Sequence, residues 1–368
     1  MPTPQILLTG ATGYVGGTIL TNLLNSSSPT LRSATITCLV RGADRAATLN
    51  NTYNNSGGDS PRVRVIVYAD LDDLEATTAA AAQADLVINA ALGFHAASAL
   101  ALLQGLAQRK ARTGNDDDVW LLHLSGTSNV ADRGLSGAWT ESKREFDDAV
   151  DDVYAWEKRV EAAHPYVQRG AELAVVDAGL ELGVKTLVVM PPTIYGRGTG
   201  LFNRQSVQVP AYVKAALARG RPVVMGEGKG AWDHVHVEDL AELYELLVVE
   251  VLERSGAHLP TGKKGIIFSA NGRHSWLEVA EAVAEVCCEE GRIKDTQVES
   301  VGVPEGTRIF AEAYLGHADE EMVELGLASN GKTIPSVAER LGWKPTRGHG
   351  EWMKGLREDI RTALETHH

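Results

Sequence analysis

The chain has 368 residues, 44% of them hydrophobic and 23% charged, the composition of an ordinary globular protein that can bury a large core. No run approaches the ~18 apolar residues of a membrane span, and the start, Met1-Pro2-Thr3-Pro4-Gln5, lacks a basic region followed by an apolar one, so a cytoplasmic protein without membrane attachment is expected. A formal charge of -13 argues against direct nucleic-acid binding. Cys38, Cys287 and Cys288 form neither a disulfide framework nor a metal cluster, so reduced thiols and no bound metal are expected.

Ile6 to Leu8 read as a short buried strand and Tyr14 to Leu24 as a helix, with Gly10, Gly13 and Gly16 between them. Glycines at such a junction allow a tight exit from the strand, close approach of a pyrophosphate and close packing of helix on sheet, while the helix N-terminus offers amides to phosphate. Gly10, Thr12, Gly13, Tyr14, Val15 and Gly16 are therefore the expected dinucleotide-binding turn. Ala34 to Val40 form a second strand, ending at Arg41. A residue placed there meets the adenosine ribose. Arg41 and Arg45 favour the 2′-phosphate of NADP, while Asp44 between them leaves NAD as the second choice.

Asn50 to Ser60 read as a surface loop, Arg62 to Tyr68 as a third strand and Leu74 to Ala84 as a helix. A fourth strand from Asp85 ends in Ala90 and Ala91, small enough to let a cofactor backbone come near. Such alternation specifies an α/β fold, a doubly wound parallel sheet of the Rossmann kind. A helix from Ala96 to Arg112, a strand from Val119 to Leu124 and the polar end Ser125-Gly126-Thr127-Ser128 follow. Lys185 to Met190 form a sixth strand, running into Pro191-Pro192-Thr193-Ile194-Tyr195-Gly196. Farther on, Gly265 to Ala270 suggest a strand and Ser275 to Glu289 a helix that Ser275 caps.

The spacing Thr-Gly-x-x-Gly-x-x-Gly from Thr9 resembles the extended branch of the short-chain dehydrogenase/reductase superfamily, and the later segments occur in that branch's order. Within it the chain looks closest to fungal epimerase/dehydratase-like and regulator-like proteins. The resemblance implies a nucleotide domain over 1–195 with 233–256 returning to it, a substrate lobe over 196–232 and 257–345, and a helical tail over 346–368. It implies adenine contacts at Asp70 and Leu71, and a nicotinamide carboxamide held by Pro192, Thr193 and Ile194. It also implies a hydroxyl on the reacting oxygen at Thr127, with Ser125 as the alternative. His234 and His236 read as structural.

Chemistry in this superfamily rests on a tyrosine and, four residues later, a lysine whose charge lowers the phenol's pKa. Tyr154 and Lys158 have that spacing, but His164-Pro165 must break the helix that carries them. Reading the crossover helix as Pro165 to Leu182 puts Tyr166 in its first turn, where the superfamily keeps its tyrosine; four residues on stands Gly170, and the nearest cation is Arg169. Three functions are implied. The first is an NADP-dependent oxidoreductase acting on a carbonyl or hydroxyl of a small organic molecule, with a homo-oligomer possible. The second is a non-catalytic NADP sensor with a protein partner, and the third a non-redox epimerase, dehydratase or isomerase.

Overall fold

Seven strands, mostly buried apart from the edge strand Val63–Tyr68, line up in one parallel sheet in the computed structural model, which describes residues 3–54, 62–114, 118–141, 145–314 and 316–366. They are β1 (Gln5–Thr9), β2 (Thr35–Arg41), β3 (Val63–Tyr68), β4 (Leu86–Asn89), β5 (Trp120–Leu124), β6 (Lys185–Met190) and β7 (Ile266–Phe268). The order is β7-β6-β5-β4-β1-β2-β3, and every pairing is parallel. Near-continuous apolar runs such as Ile-Leu-Leu in β1 are what a sheet covered on both faces requires. Alternation along the strand then sorts the core. Ile6 and Leu8 pack with helix α1 (Tyr14–Asn25), whereas Leu7 packs on the opposite face with Leu102, Leu103 and Leu106 of α2 (Ala96–Thr113). The order in which successive strands are laid down reverses between β1 and β4, so the crevice outside their C-terminal ends is where ligands of such folds bind.

Two helices complete the face behind β5 and β6: α3 (Val153–Ala163) and α4 (Val167–Leu182). Pro165 biases the preceding residue away from helical backbone; His164 sits at φ -139, ψ 80 and ends α3, and Tyr166 at φ -134, ψ 125 is the extended cap of α4. Tyr166 thus precedes the helix by one residue rather than standing in its first turn. Helix α5 (Val237–Arg254) lies against α1 and contributes Leu240, Leu243, Tyr244 and Leu247 to the first core. A second core belongs to the lobe, where Tyr212, Trp276, Phe310 and Leu327 meet Trp352, Leu356 and Ile360 of α6 (His349–Glu365).

Three segments differ from the sequence expectation. Ile266–Phe268 joins the main sheet beside β6, and Trp343 packs in the nucleotide-half core with its indole N–H on the Asp239 carbonyl. Segment 257–345 therefore serves both halves, because its apolar Ile-Ile-Phe run completes a parallel edge. Asn50 to Asn54 end a helix, Ala43–Asn54, rather than opening a loop; the rest of the loop expected there lies outside the described residues. No helix among the described residues is long and apolar enough to cross a membrane.

Candidate functional site

The turn between β1 and α1 is shaped by backbone crowding. Gly10 has φ +72, and a Cβ there would lie 2.2 Å from the Ala90 carbonyl oxygen; a Cβ on Gly16 would lie 2.2 Å from the Gly10 oxygen. Gly13 caps α1 with no side-chain hydrogen bond, leaving the helix N-terminus to whatever enters the cleft. A loop from the lobe clamps this turn: the Tyr14 hydroxyl donates to the Gly196 carbonyl at 2.5 Å, and Gly17 approaches Gly200 so closely that a Cβ would meet its Cα at 3.2 Å.

A cleft of about 690 Å³ runs over this turn. Arg41 and Arg45 stand at one end; Gly10, Thr12, Gly13, Tyr14 and Val15 form the floor; Ala90, Ala91, Pro192 and Ile194 line the middle. Ser125 and Thr127 follow at the end of β5; from the lobe, Asn203 sits over the turn with its backbone amide on the Thr12 carbonyl, and Gln208, Trp232 and Tyr314 also line the cleft. The cradle fits a nicotinamide dinucleotide: glycines where a side chain would fill the floor, an uncapped helix start for a pyrophosphate, and two guanidinium groups at the ribose end. Neither arginine has an ion-pair partner among the described residues.

Other expected contacts lie elsewhere. Gly16 sits beneath the turn, where it lets α1 pack. Asp70 accepts the Asp72 amide in the turn after β3, and neither it nor Leu71 lines the cleft. Thr193 points its buried hydroxyl inward from a short strand paired with His234, so only its neighbours Pro192 and Ile194 reach the cleft. His234 is structural in its surroundings, stacked on Trp352 with ring centroids 4.1 Å apart and sharing a 3.2 Å Nδ1–Nδ1 contact with His274.

The catalytic candidates separate more sharply. Tyr154 and Lys158 both turn to Asp177 on the outer side of α3 and α4, with Lys158 Nζ 3.0 Å from the carboxylate; neither lines the cleft. The outer groove there holds Lys158, Glu161, Gly170 and Asp177. Gly170, four residues after Tyr166, opens onto that groove, where a Cβ would meet Glu161 at 3.1 Å. Same-face geometry between residues i and i+4 holds only inside a helix, and Tyr166 lies outside it. The Tyr166 hydroxyl reaches Ser128 Oγ at 3.2 Å, and Ser128 lines the cleft, so the phenol stands one hydroxyl behind it. Burial pushes the phenol up to about 12 despite the hydrogen bond to Ser128 and the charge of Arg169. Thr127 lines the cleft, and its Oγ1 is buried without a hydrogen-bond partner among the described residues.

Sequence reading missed Ser128, Gln168, Trp232 and Tyr314 in the cleft, as well as a polar cluster behind Ser125. Asn129 donates to Ser125 Oγ at 3.1 Å and to Glu172 at 2.6 Å; Glu172 faces Glu157, and both carboxyls are fully buried. A signal was present. Glu157 stands between Val153 and Val160, and Glu172 shares a stripe with Val176 and Gly179, so each charge occupies an apolar helix face.

Comparisons with known proteins agree with this geometry. A profile described as "NAD dependent epimerase/dehydratase family" matches residues 151–258, and one described as "Male sterility protein" matches residues 8–91. The oxidase ucsJ of an Acremonium species is 31% identical over 352 residues, covering 93% of each chain. Among solved structures, a dTDP-glucose 4,6-dehydratase from Streptomyces venezuelae with NAD bound superposes with a TM-score of 0.63 at 16% identity, covering 98% of this chain and 97% of its own. Vestitone reductase from alfalfa gives a TM-score of 0.55 at 16% identity, covering 98% of each chain. Backbone turn, strand order and these likenesses lead to one statement: the chain belongs to the extended short-chain dehydrogenase/reductase superfamily.

Proposed function

We propose that the protein is an NADP-dependent oxidoreductase acting on a carbonyl or hydroxyl of a small organic molecule. The observation that carries this reading is one continuous cleft joining two arginines, the glycine turn and the hydroxyls of Ser125, Thr127 and Ser128. The turn would hold the pyrophosphate, Arg41 and Arg45 the 2′-phosphate, and the backbone of Pro192 and Ile194 the carboxamide. When bound, the cofactor supplies or accepts hydride. Thr127 would orient the reacting oxygen, and Tyr166 would reach it through Ser128. The lobe side, with Gln208, Trp232 and Tyr314, suits a substrate with an apolar or aromatic surface and a few hydrogen-bonding groups. The oxidase name of the Acremonium relative supports redox chemistry.

Fluorescence titration with NADPH and NADH tests the cofactor, and NADPH oxidation across a panel of carbonyl compounds tests the chemistry. Arg41→Ala should weaken NADPH by about 10- to 100-fold, the worth of a hydrogen bond to a charged group, and leave NADH unchanged. Equal affinities in the parent would remove the NADP assignment. One observation favours a second reading, a non-catalytic NADP sensor: four residues after Tyr166, where the superfamily keeps its lysine, stands Gly170, open to the outer groove. Tight NADPH binding without turnover of any panel member would favour it.

A further inference from the structure

We propose that Glu172, backed by Glu157, is the proton store of the cleft, exchanging protons with the substrate oxygen through the Ser125 hydroxyl. The inference rests on the oxidoreductase reading and concerns the site that reading describes.

The geometry is a line of polar groups leading inward from the cleft. Ser125 lines the cleft, and the Asn129 amide donates to both its hydroxyl and the Glu172 carboxylate, at 3.1 and 2.6 Å, so the two oxygens lie side by side. Behind Glu172 stands Glu157, whose two oxygens meet no N–H or O–H donor among the described residues. Two fully buried carboxyls in contact cannot both be ionised without a large loss of hydration, so the pair retains a proton. A proton kept on Glu157 would point towards the facing Glu172 carboxylate. Burial and the neighbouring Glu172 push Glu157 well above the usual carboxyl range; burial raises Glu172 to about 7, against the opposing pull of its hydrogen bonds and of Arg169. The charged groups facing the pair are Arg169 from α4 and Glu161 from α3. Arg169 is itself held elsewhere, donating to the Asn129 and His164 carbonyls at 2.9 Å and to Glu161 at 3.2 Å.

Such a line can move one proton in either direction. In the oxidation of a hydroxyl, the substrate O–H bond breaks as a new O–H bond forms on Ser125 Oγ. The original Ser125 proton passes to the Glu172 carboxylate, and the electron pair left on the substrate expels hydride to an oxidised nicotinamide. Reduction of a carbonyl is the reverse. Ser125 ends each cycle neutral, and Glu172 carries the proton gained or lost. Tyr166, whose phenol lies near 12, would not change charge in the same range.

Infrared difference spectra of the full-length protein, recorded against pH without cofactor, read the store directly. Asp148 and Asp359, also raised by burial, to about 7 and about 6, contribute bands common to all variants; the pair adds two protonated-carboxyl bands, one that titrates near pH 7 and is absent from Glu172→Gln, and one that persists above it and is absent from Glu157→Gln. Glu157→Gln keeps a neutral donor opposite Glu172, so this variant should fold and retain the titrating band. Stability follows the same sign. The folded chain holds these protons at pH values where unfolded carboxyls have lost theirs, so the stabilisation is present below about pH 4 and lost as pH rises through about 7. Glu172→Gln should flatten that slope. With a turned-over substrate, Glu172→Gln should lower kcat by ~100-fold and abolish the inflection near pH 7. Spectra of the parent that match both variants overturn the proposal, as does an active Glu172→Gln with the parent's pH profile. Failure to bind NADP(H) would instead defeat the oxidoreductase reading, and the infrared bands would still report the acid pair.

Discussion

The turn at Gly10 and the cluster behind Ser125 flank the same cleft but are made of different material. At the turn, position is set by main chain against main chain: Gly10 against Ala90, Gly16 against Gly10, Gly17 against Gly200. Behind Ser125 it is set by side chains drawn from the turn after β5, α3 and α4: Ser125, Asn129, Glu157, Arg169 and Glu172. Main-chain crowding admits one residue type, whereas a side-chain cluster can be assembled from many. The first construction accordingly follows the superfamily's pattern, while the second departs from it, with an acid pair inward of the cleft and the tyrosine–lysine pair turned outward to Asp177.

Substitutions can break or sharpen this contrast. The largest effect is expected from Arg169→Met, which leaves Glu161 and the buried acid pair without their cation and two carbonyls without a donor. A loss of about 3–5 kcal/mol, read from urea denaturation, is the scale of breaking a buried pair. A loss under about 1 kcal/mol would show that the cluster tolerates rearrangement. Next comes Gly10→Ala, where a left-handed backbone and a 2.2 Å approach to the Ala90 oxygen combine; about 2–4 kcal/mol and weakened binding of both nicotinamide cofactors are expected. A variant with parental stability and affinity would contradict the crowding account of the turn. The smallest effect belongs to Lys158→Met. Its ion pair with Asp177 is half exposed, so about 0–1 kcal/mol is expected, with cofactor affinity and turnover unchanged. A collapse of cofactor binding in that variant would restore Tyr154 and Lys158 to the site.

Legibility in the sequence divided along the same line. Alternation of apolar strands with helical segments specified the doubly wound sheet, because strands buried on both faces need continuous hydrophobic runs; Lys185–Met190 falls where that pattern placed it. The glycine spacing located the turn, because no other residue fits a Cβ-free floor at φ +72. Ser275 with Glu278 closes a full capping box, a local signal that local chemistry satisfies. Tertiary structure decided the rest. Whether a tyrosine faces the cleft depended on Pro165, which turned Tyr166 into a cap and removed it from register with Gly170. Whether Glu157 and Glu172 meet depended on two helices, separated by that break, packing side by side on one face of the sheet. Spacing along one helix is a one-dimensional rule and can be read from sequence, but a contact between helices is settled only when the whole sheet fixes how they lie against each other.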